Sequence, residues 1–233
     1  GTLNGVCTAK LSEAEVMVEG GITDVLIPNQ IVTEDKIRRL CSLQSHGDVK
    51  VCVYSEENTR LISKIASELG VTVGILIEVD TSMGRAGVRS AEESVYLAKL
   101  ITSLPGLKFM GVMSHQHLKK FSTHENRITE GIEYIEICME SKRAIEAEGI
   151  HVEMVSSGET FTIDSATQVE GVTEVEGGTY ALMGTSYSYM DDFKIANKVL
   201  GTITSIKNDQ IAIGDVGTKS FSWPGQELPE VET

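Results

Sequence analysis

The sequence lacks several features that would assign it to common classes of protein. None of its apolar runs approaches the roughly 20 residues that cross a bilayer, and its first residues do not resemble a signal peptide. Basic residues are scarce, because 20 Lys and Arg stand against 34 Asp and Glu and leave a formal net charge of −14. This charge predicts no nucleic-acid partner and no membrane partner, so an anionic ligand would need a local binding site.

Cysteine is also sparse, and its spacing is uninformative. The four cysteines, Cys7, Cys41, Cys52 and Cys138, show neither a CxxC pair nor a metal-ligand spacing. Most of them lie in apolar stretches, which predicts buried, reduced thiols and a cytoplasmic protein rather than a disulfide framework.

The hydrophobic pattern alternates along the chain between the period of a strand and that of a helix. Predicted strands lie at residues 5–9, 24–29, 49–54, 71–80, 107–115, 151–157 and 173–183. Helices between them have recognisable starts, of which Ser12 with Glu15 is a capping box. Ser55 and Ser90, each followed by two acidic residues, repeat the signal, and the longest predicted helix covers 123–148. Such βα alternation predicts an α/β protein with a parallel sheet.

Two architectures fit that pattern. A doubly wound dinucleotide-binding sheet is disfavoured, because no GxGxxG turn follows the first strand. A (β/α)8 TIM-type barrel fits better, although seven strands are visible where closure requires eight. After about residue 195 the pattern becomes that of antiparallel strands. We therefore predict a barrel domain at 1–194 and the start of a β-rich C-terminal domain at 195–233.

Two glycine- and hydroxyl-rich segments lie at the late strands, one after the strand at 151–157 and one within the strand at 173–183, where barrels bind phosphate. SSGETFT (156–162) contains Gly158 and Thr160, and EGGTY (176–180) contains Gly178 and Thr179. Glycine lets a backbone approach a phosphate closely, and hydroxyl groups donate to its oxygens. Each segment alone also reads as a helix cap or a strand bulge, but together they favour a phosphorylated ligand.

Two further candidates lie at strand ends. EVDTSMGRAGVR (78–89) carries Arg85 between small residues, and an arginine there could meet a phosphate, a carboxylate or a ring nitrogen. His115, in MSHQH (113–117), stands where barrel enzymes place catalytic residues. A salt-bridged loop and a structural histidine are the alternatives. His117 lies close by, but a metal pair is not expected because no third ligand is near.

The motifs also resemble a known family. GVCTAKLSEAEVMVEGGITDVLIPNQIV, IEVDTSMGRAGVRS, FMGVMSHQH, VSSGETFT and GVTEVEGGTYALM occur in the order and spacing of the D-threonine aldolase and D-serine dehydratase family. These are alanine-racemase-like, fold-type III enzymes that use pyridoxal 5′-phosphate (PLP). The resemblance covers roughly residues 4–222.

The resemblance implies site residues for PLP. Gly158, Thr160, Gly178 and Thr179 would hold the phosphate, with a contribution from Tyr180. Arg85 would lie beside the cofactor ring, and His115 occupies the place of a ring-side Tyr or His. Gln30 would be a further pocket residue.

Two features of the family are missing from the sequence. No segment resembles RPHxKTHK, which carries the lysine that binds PLP, and Lys10 matches a non-lysine position. The catalytic lysine is therefore unassigned, and we expect its strand to precede Gly1. The C-terminal His-x-Cys or His-x-Asp metal site is also missing, since no histidine follows His151. The intact family member is expected to use a divalent metal, Mn or Zn.

The resemblance implies a PLP-dependent lyase that acts on small D-amino acids and forms a homodimer. An aldolase would cleave β-hydroxy D-amino acids to glycine and an aldehyde, and a dehydratase would release a keto acid and ammonia. The alternatives are an amino-acid racemase of the alanine racemase type and a non-catalytic PLP-binding relative without the lysine. Without that lysine, this chain alone is expected to be inactive.

Overall fold

A computed structural model of the chain describes residues 5–116, 118, 124–184, 189–217 and 220. The chain divides into two compact units, residues 1–177 and 178–233. The first unit contains a parallel sheet whose strands are joined by helices. The boundary after residue 194 between a barrel domain and a β-rich domain stays a prediction. Among the described residues, no helix is both long enough and apolar enough to cross a membrane.

The first unit alternates strands and helices as the hydrophobic pattern predicts. Its strands are β1 (Val6–Cys7), β2 (Asp24–Ile27), β3 (Asp48–Val53), β4 (Val73–Glu78), β5 (Leu107–Ser114) and β6 (Met154–Ser157). Its helices are α1 (Leu11–Glu19), α2 (Glu34–Leu43), α3 (Glu56–Leu69), α4 (Ala91–Ser103), α5 (His124–Ala147) and α6 (Ile163–Ala166), the last preceded by a 3-10 turn at Thr160–Thr162.

The six strands pair in sequence order, β1-β2-β3-β4-β5-β6, and every pairing is parallel. A doubly wound sheet reverses its strand order at a switch point, whereas a barrel adds each strand beside the previous one. The sheet is therefore a curled half-barrel, which confirms the predicted α/β TIM-type architecture. One bulge interrupts it where β5 passes β4, after Ile75.

The two faces of the sheet carry different residues. One face packs against the helices in a large apolar cluster that includes Val25, Val51, Ile75 and Val112. The inner face carries a smaller cluster from strand residues only: Leu26, Cys52, Leu76, Met110 and Met113. Successive side chains of a strand alternate between faces. This alternation sends one set of residues to the helices and the other to the inside of the curl.

Local capping chemistry explains where three of the helices, α1, α3 and α4, begin. The Ser55 and Ser90 hydroxyls accept hydrogen bonds from the backbone N–H groups of Asn58 and Glu93, at 3.3 and 3.2 Å. The predicted cap at Ser12 is wrong, because α1 already begins at Leu11. There the Glu13 carboxylate accepts from the Lys10 backbone N–H at 3.0 Å, so this carboxylate satisfies an N-terminal donor of the helix.

The predicted strand at 173–183 is also wrong in the structure. Only Glu174 makes a parallel bridge, to Ser156, and a 3-10 turn follows at Thr179–Ala181. The Gly177–Gly178 pair between them supplies no side chain to pack on a sheet, which weakens a strand there. In the second unit, β7 (Ile203–Asn208) and β8 (Ile211–Gly214) form an antiparallel hairpin, as the alternating pattern predicts.

Candidate active site

Predicted site residues from four strands lie at one edge of the sheet. Gln30 follows β2, Arg85 follows β4, His115 follows β5, and Gly158 follows β6. These are carboxyl ends of parallel strands, and we call this side of the sheet the carboxyl edge. Loops at this end form the active site in barrel enzymes. The strand order therefore places these candidates on the same side of the first unit.

Gln30 and Arg85 both contact the carboxylate of Glu78. The Gln30 Nε2 donates to Glu78 Oε2, and the Arg85 guanidinium lies 3.6 Å from Glu78 Oε1. Burial raises the pKa of the Glu78 carboxyl, and the Gln30 and Arg85 groups oppose that rise. Glu78 is buried whereas Arg85 is half exposed, so Glu78 orients the guanidinium and leaves it accessible to a ligand.

The loop after β4 is shaped by its own backbone. The Asp80 Oδ1 accepts from the Gly84 N–H at 2.9 Å, and the Val88 N–H donates to the Glu78 carbonyl at 2.9 Å. Gly87 has φ +111°, and a Cβ there would lie 2.5 Å from the Asp80 nitrogen. A glycine is therefore required at this crossing, which fixes the loop that carries Arg85.

Gly158 and Thr160 lie in a tight turn after β6. Gly158 has φ +109°, and a Cβ there would come within 2.8 Å of the Ala166 Cβ. The Glu159 N–H donates to Thr162 Oγ1 at 2.9 Å, and the Thr162 N–H donates back to the Glu159 carbonyl at 3.1 Å. Thr160 is buried at the start of the 3-10 turn. We call residues 158–162 the glycine loop.

Glu159 faces His115 across the ends of β5 and β6. The distance from His115 Nε2 to Glu159 Oε2 is 4.0 Å, with the imidazole 40% and the carboxylate 14% exposed. Burial raises the pKa of the Glu159 carboxyl to about 7. A carboxyl with that pKa exchanges a proton near neutral pH, which suits a general acid or base.

A third carboxylate lies on the inner face. Glu176 accepts hydrogen bonds from the Cys7 thiol at 2.8 Å and from the Ser156 hydroxyl at 2.7 Å. Burial raises the pKa of Glu176 in spite of these bonds. Cys7 belongs to β1 and Ser156 to β6, so this carboxylate contacts the first and last strands of the sheet.

Several buried polar atoms near the carboxyl edge have no partner within the described part of the chain. They are Thr8 Oγ1 after β1, Thr81 Oγ1 after β4 and Gln116 Oε1 after β5. The Gln116 Nε2, in contrast, donates to the hydroxyls of Ser114 and Ser157 at 2.7 and 3.0 Å. Unsatisfied buried polar atoms are uncommon in proteins, and those at a strand-end edge suit a polar ligand or ordered water.

The remaining candidates fall elsewhere. Gly178, Thr179 and Tyr180 belong to the second compact unit, so their approach to a phosphate stays a prediction. There the Tyr180 ring lies 5.9 Å from the Phe193 ring, centre to centre. His117 lies outside the described residues. Over those residues, no three His, Cys, Asp or Glu side chains are grouped as a metal site.

Sequence reasoning missed two acidic members of this site. Glu159 and Glu176 lie inside segments selected for their glycine and hydroxyl residues. A glutamate within a glycine- and threonine-rich loop is the signal that could have found Glu159. The contact between Cys7 and Glu176 joins residues 169 positions apart, and no local pattern in the sequence indicates it.

A sequential parallel sheet with its polar groups at the carboxyl edge is the architecture of a barrel enzyme domain. The sequence profile described as "Alanine racemase, N-terminal domain" matches residues 1–186. The chain therefore belongs to the alanine racemase N-terminal domain family.

Within that family, the chain is similar to aldolases and dehydratases. It is 32% identical to the 3-hydroxy-D-aspartate aldolase of Paracoccus denitrificans (strain Pd 1222), over 94% of this chain and 59% of that protein. It is 27% identical to the D-threo-3-hydroxyaspartate dehydratase of Delftia sp. (strain HT23), over 94% of this chain and 59% of that protein. The crystal structure of D-threonine aldolase from Filomicrobium marinum superposes with a TM-score of 0.86 at 28% identity, over 92% of this chain and 60% of that one.

These similarities confirm the resemblance inferred from the five sequence segments. The chain spans 59% of the length of both curated relatives.

Proposed function

We propose that the protein binds PLP and acts as a lyase on β-hydroxy D-amino acids, by the retro-aldol reaction that gives glycine and an aldehyde. The observation that carries the proposal is the grouping at the carboxyl edge. There Gln30 and Arg85 meet at Glu78, while His115 faces Glu159 beside the glycine loop. The similarity to aldolases over most of the chain supports the choice of reaction.

The residues present fit the non-covalent part of a PLP site. A glycine with positive φ lets backbone approach a phosphate, and a half-exposed guanidinium can donate to the ring or to its substituents. In the proposal, Gly158 and Thr160 hold the phosphate together with Gly178, Thr179 and Tyr180, while Arg85, Gln30 and His115 line the ring. When bound, PLP supplies an electron sink for the charge that develops at the substrate Cα.

The chain's own residues supply orientation and proton handling. Glu78 holds Arg85 in one orientation, so that its donors are fixed before a ligand arrives. Glu159 can hold a proton at Oε2 near neutral pH, and His115 Nε2 is its nearest described imidazole. A proton taken from or given to a substrate hydroxyl could thus be exchanged with solvent through the half-exposed His115.

The lysine that would bind PLP covalently is not identified at this edge. Among the lysines that the structure describes in the first unit, only Lys10 lies near the carboxyl end of a strand. Lys50, although buried, pairs with Asp24 and Asp48 where β2 and β3 begin. We therefore propose that the lysine lies on another segment of the protein. We also propose that the protein requires Mn or Zn, forms a homodimer and is cytoplasmic.

One experiment tests the reaction and its alternatives. Purified protein that includes the segment carrying the lysine, with and without Mn²⁺ or Zn²⁺, is given D-threonine, 3-hydroxy-D-aspartate, D-serine and L-threonine in parallel. Glycine and an aldehyde from the D-enantiomers support the aldolase. A keto acid and ammonia would instead identify the dehydratase, which the Delftia relative makes the second candidate. No product, together with no visible absorbance band that borohydride abolishes, would reject the lyase.

Two variants test the site itself. Arg85→Leu is expected to lower PLP affinity at least about tenfold, the effect of losing a charge-assisted hydrogen bond. Arg89→Leu is the matched control, because Arg89 lies on the same loop and its side chain pairs with Asp80, at 3.8 Å. Equal effects of the two variants would contradict a role for Arg85 beside the ring.

A further inference from the structure

An arginine outside the predicted site is buried against the glycine loop. Arg127 lies in the first turn of α5, and its side chain is 1% exposed. Its Nη1 donates to the Phe161 carbonyl, and its Nη2 donates to the Asp164 carboxylate. Phe161 belongs to the glycine loop, and Asp164 lies in α6 directly after it. Full burial of a guanidinium is costly unless its partners are well placed.

Other contacts hold α5 and α6 together at the same place. The Ser165 hydroxyl donates to the Ile128 carbonyl at 3.0 Å. Gly131 lies so close that a Cβ there would be 2.3 Å from Ser165 Oγ. One turn of α5 therefore packs directly on α6, and Arg127 connects this packing to the loop before it.

The glycine loop is held at both ends by different means. At its start, the Gly158 carbonyl accepts from the Glu176 N–H at 3.0 Å, and the preceding Ser157 N–H donates to the Glu174 carbonyl at 3.1 Å. At its end, the Phe161 carbonyl turns toward Arg127. Because a peptide unit is planar, this contact also orients the Thr162 N–H, which donates to the Glu159 carbonyl. Arg127 thus fixes the plane of the Phe161–Thr162 peptide unit, whose N–H group closes the turn.

We propose that Arg127 is a positioning residue for phosphate recognition: it keeps the glycine loop in the shape that receives the cofactor phosphate. The inference rests on the proposed function, because it takes PLP as the ligand of that loop. An arginine suits the role, since its planar fork bonds a carbonyl and a carboxylate at once. A lysine in its place can hold either partner but does not fix the angle between them.

The test separates phosphate recognition from general stability. Calorimetric titrations measure the affinity of the protein for PLP and for pyridoxal, which lacks the phosphate. The wild type is expected to prefer PLP. Arg127→Met is expected to lower the affinity for PLP about tenfold and that for pyridoxal less than about twofold. Arg127→Lys should restore part of the preference. Arg143→Met is the matched control on α5, because Arg143 is exposed and pairs with Glu136.

The outcomes distinguish this inference from the proposed function. A wild type that binds PLP no better than pyridoxal would contradict phosphate binding, and with it the proposed function. A wild type that prefers PLP, beside an Arg127→Met that keeps the same preference, would overturn the inference alone. If Arg127→Met does not fold by circular dichroism, Asp164→Asn and Arg127→Lys take its place. An unchanged preference in both of these folded variants would then overturn it.

Discussion

The two edges of the sheet differ in how fully their buried ionisable groups are paired with groups of opposite charge. At the edge where the strands begin, the Lys50 side chain is 5% exposed and its ammonium pairs with Asp24 at 2.9 Å and Asp48 at 2.6 Å. Burial acts to lower the pKa of Lys50, but hydrogen bonds to Asp48 and Asp24 outweigh it and the pKa is raised. At this edge the charge is compensated.

At the carboxyl edge the balance is reversed. Burial is the largest influence on Glu78, Glu159 and Glu176, and it raises the pKa of each carboxyl despite the donors around two of them. Residues that form an ion pair purely for structure are expected to stay charged. Incompletely compensated carboxyls are instead typical of functional sites. The edge where the strands begin thus stabilises the sheet, whereas the carboxyl edge is available for chemistry.

Gly158→Ala tests how rigid the backbone of the carboxyl edge is at the glycine loop. An alanine would combine a positive φ with a close approach to Ala166. We expect it to lower the free energy of unfolding by about 4 kcal/mol, measured by urea denaturation. Gly70→Ala is the control, with φ +68° but no atom within 4 Å, and about 1 kcal/mol is expected there. Equal losses would show that the loop can relax.

Asp24→Asn combined with Asp48→Asn tests the compensated edge. The Lys50 ammonium would stay buried without a carboxylate, and we expect a loss of about 3 kcal/mol in the free energy of unfolding. Glu153→Gln is the control, since it breaks the exposed pair with Lys108 near the same edge and should cost less than about 1 kcal/mol. A loss below that of the control would contradict the role given to Lys50.

Glu159→Gln tests the opposite edge through pH. The folded pKa of Glu159 is raised from 4.5 to about 7, so the native state binds this proton more tightly than the unfolded state. Stability from this carboxyl is therefore present below its unfolded pKa and is lost as pH rises through about 7. We expect the variant to be more stable than the wild type near pH 8 by roughly 3 kcal/mol, with a smaller difference near pH 5.

The measurement for Glu159→Gln is thermal unfolding across that pH range. Glu153→Gln again serves as the control, because its carboxylate is exposed. A difference between Glu159→Gln and the wild type that does not change with pH would show that Glu159 is not the titrating group.

Glu78→Gln is expected to have the smallest effect on stability. The amide keeps an acceptor for Gln30, relieves the burial of a charge, and leaves Arg85 exposed to solvent. We expect a change of less than about 1 kcal/mol in the free energy of unfolding, together with weaker PLP binding. A loss as large as that of the Asp24 and Asp48 double variant would remove the distinction between the two edges.

Much of this architecture follows from local patterns. Continuous apolar strands between amphipathic helices predict a parallel sheet, and Ser55 and Ser90 cap helices because their hydroxyls reach the first-turn N–H groups. The same local logic failed at Ser12, where Glu13 satisfies the helix end from inside the first turn. It failed again at 173–183, because the Gly177–Gly178 pair follows the single bridge from Glu174 to Ser156 and offers no side chain to pack on the sheet.

The site was predictable only in part. Arg85, His115, Gly158 and Thr160 follow from motifs at strand ends, Gln30 follows from the family resemblance, and their detailed roles stay predictions. The groups that hold them are not local. Arg127 lies 37 residues from Asp164, and no spacing rule joins a helix arginine to a loop carbonyl. Likewise, the raised pKa of Glu159 depends on burial by other elements, which composition does not report.

The sequential pairing of β1 to β6 also has a consequence for how the protein folds. Each strand joins the one before it through a single intervening segment that contains a helix, so the sheet can form by closing one such segment at a time. The central strands β3 and β4 have partners on both sides, and over the described residues β1 pairs with β2 through Val6 and Cys7. Amide hydrogens are therefore expected to exchange last in the middle of the sheet. The carboxyl edge is thus carried by strands that differ in how often they open to solvent.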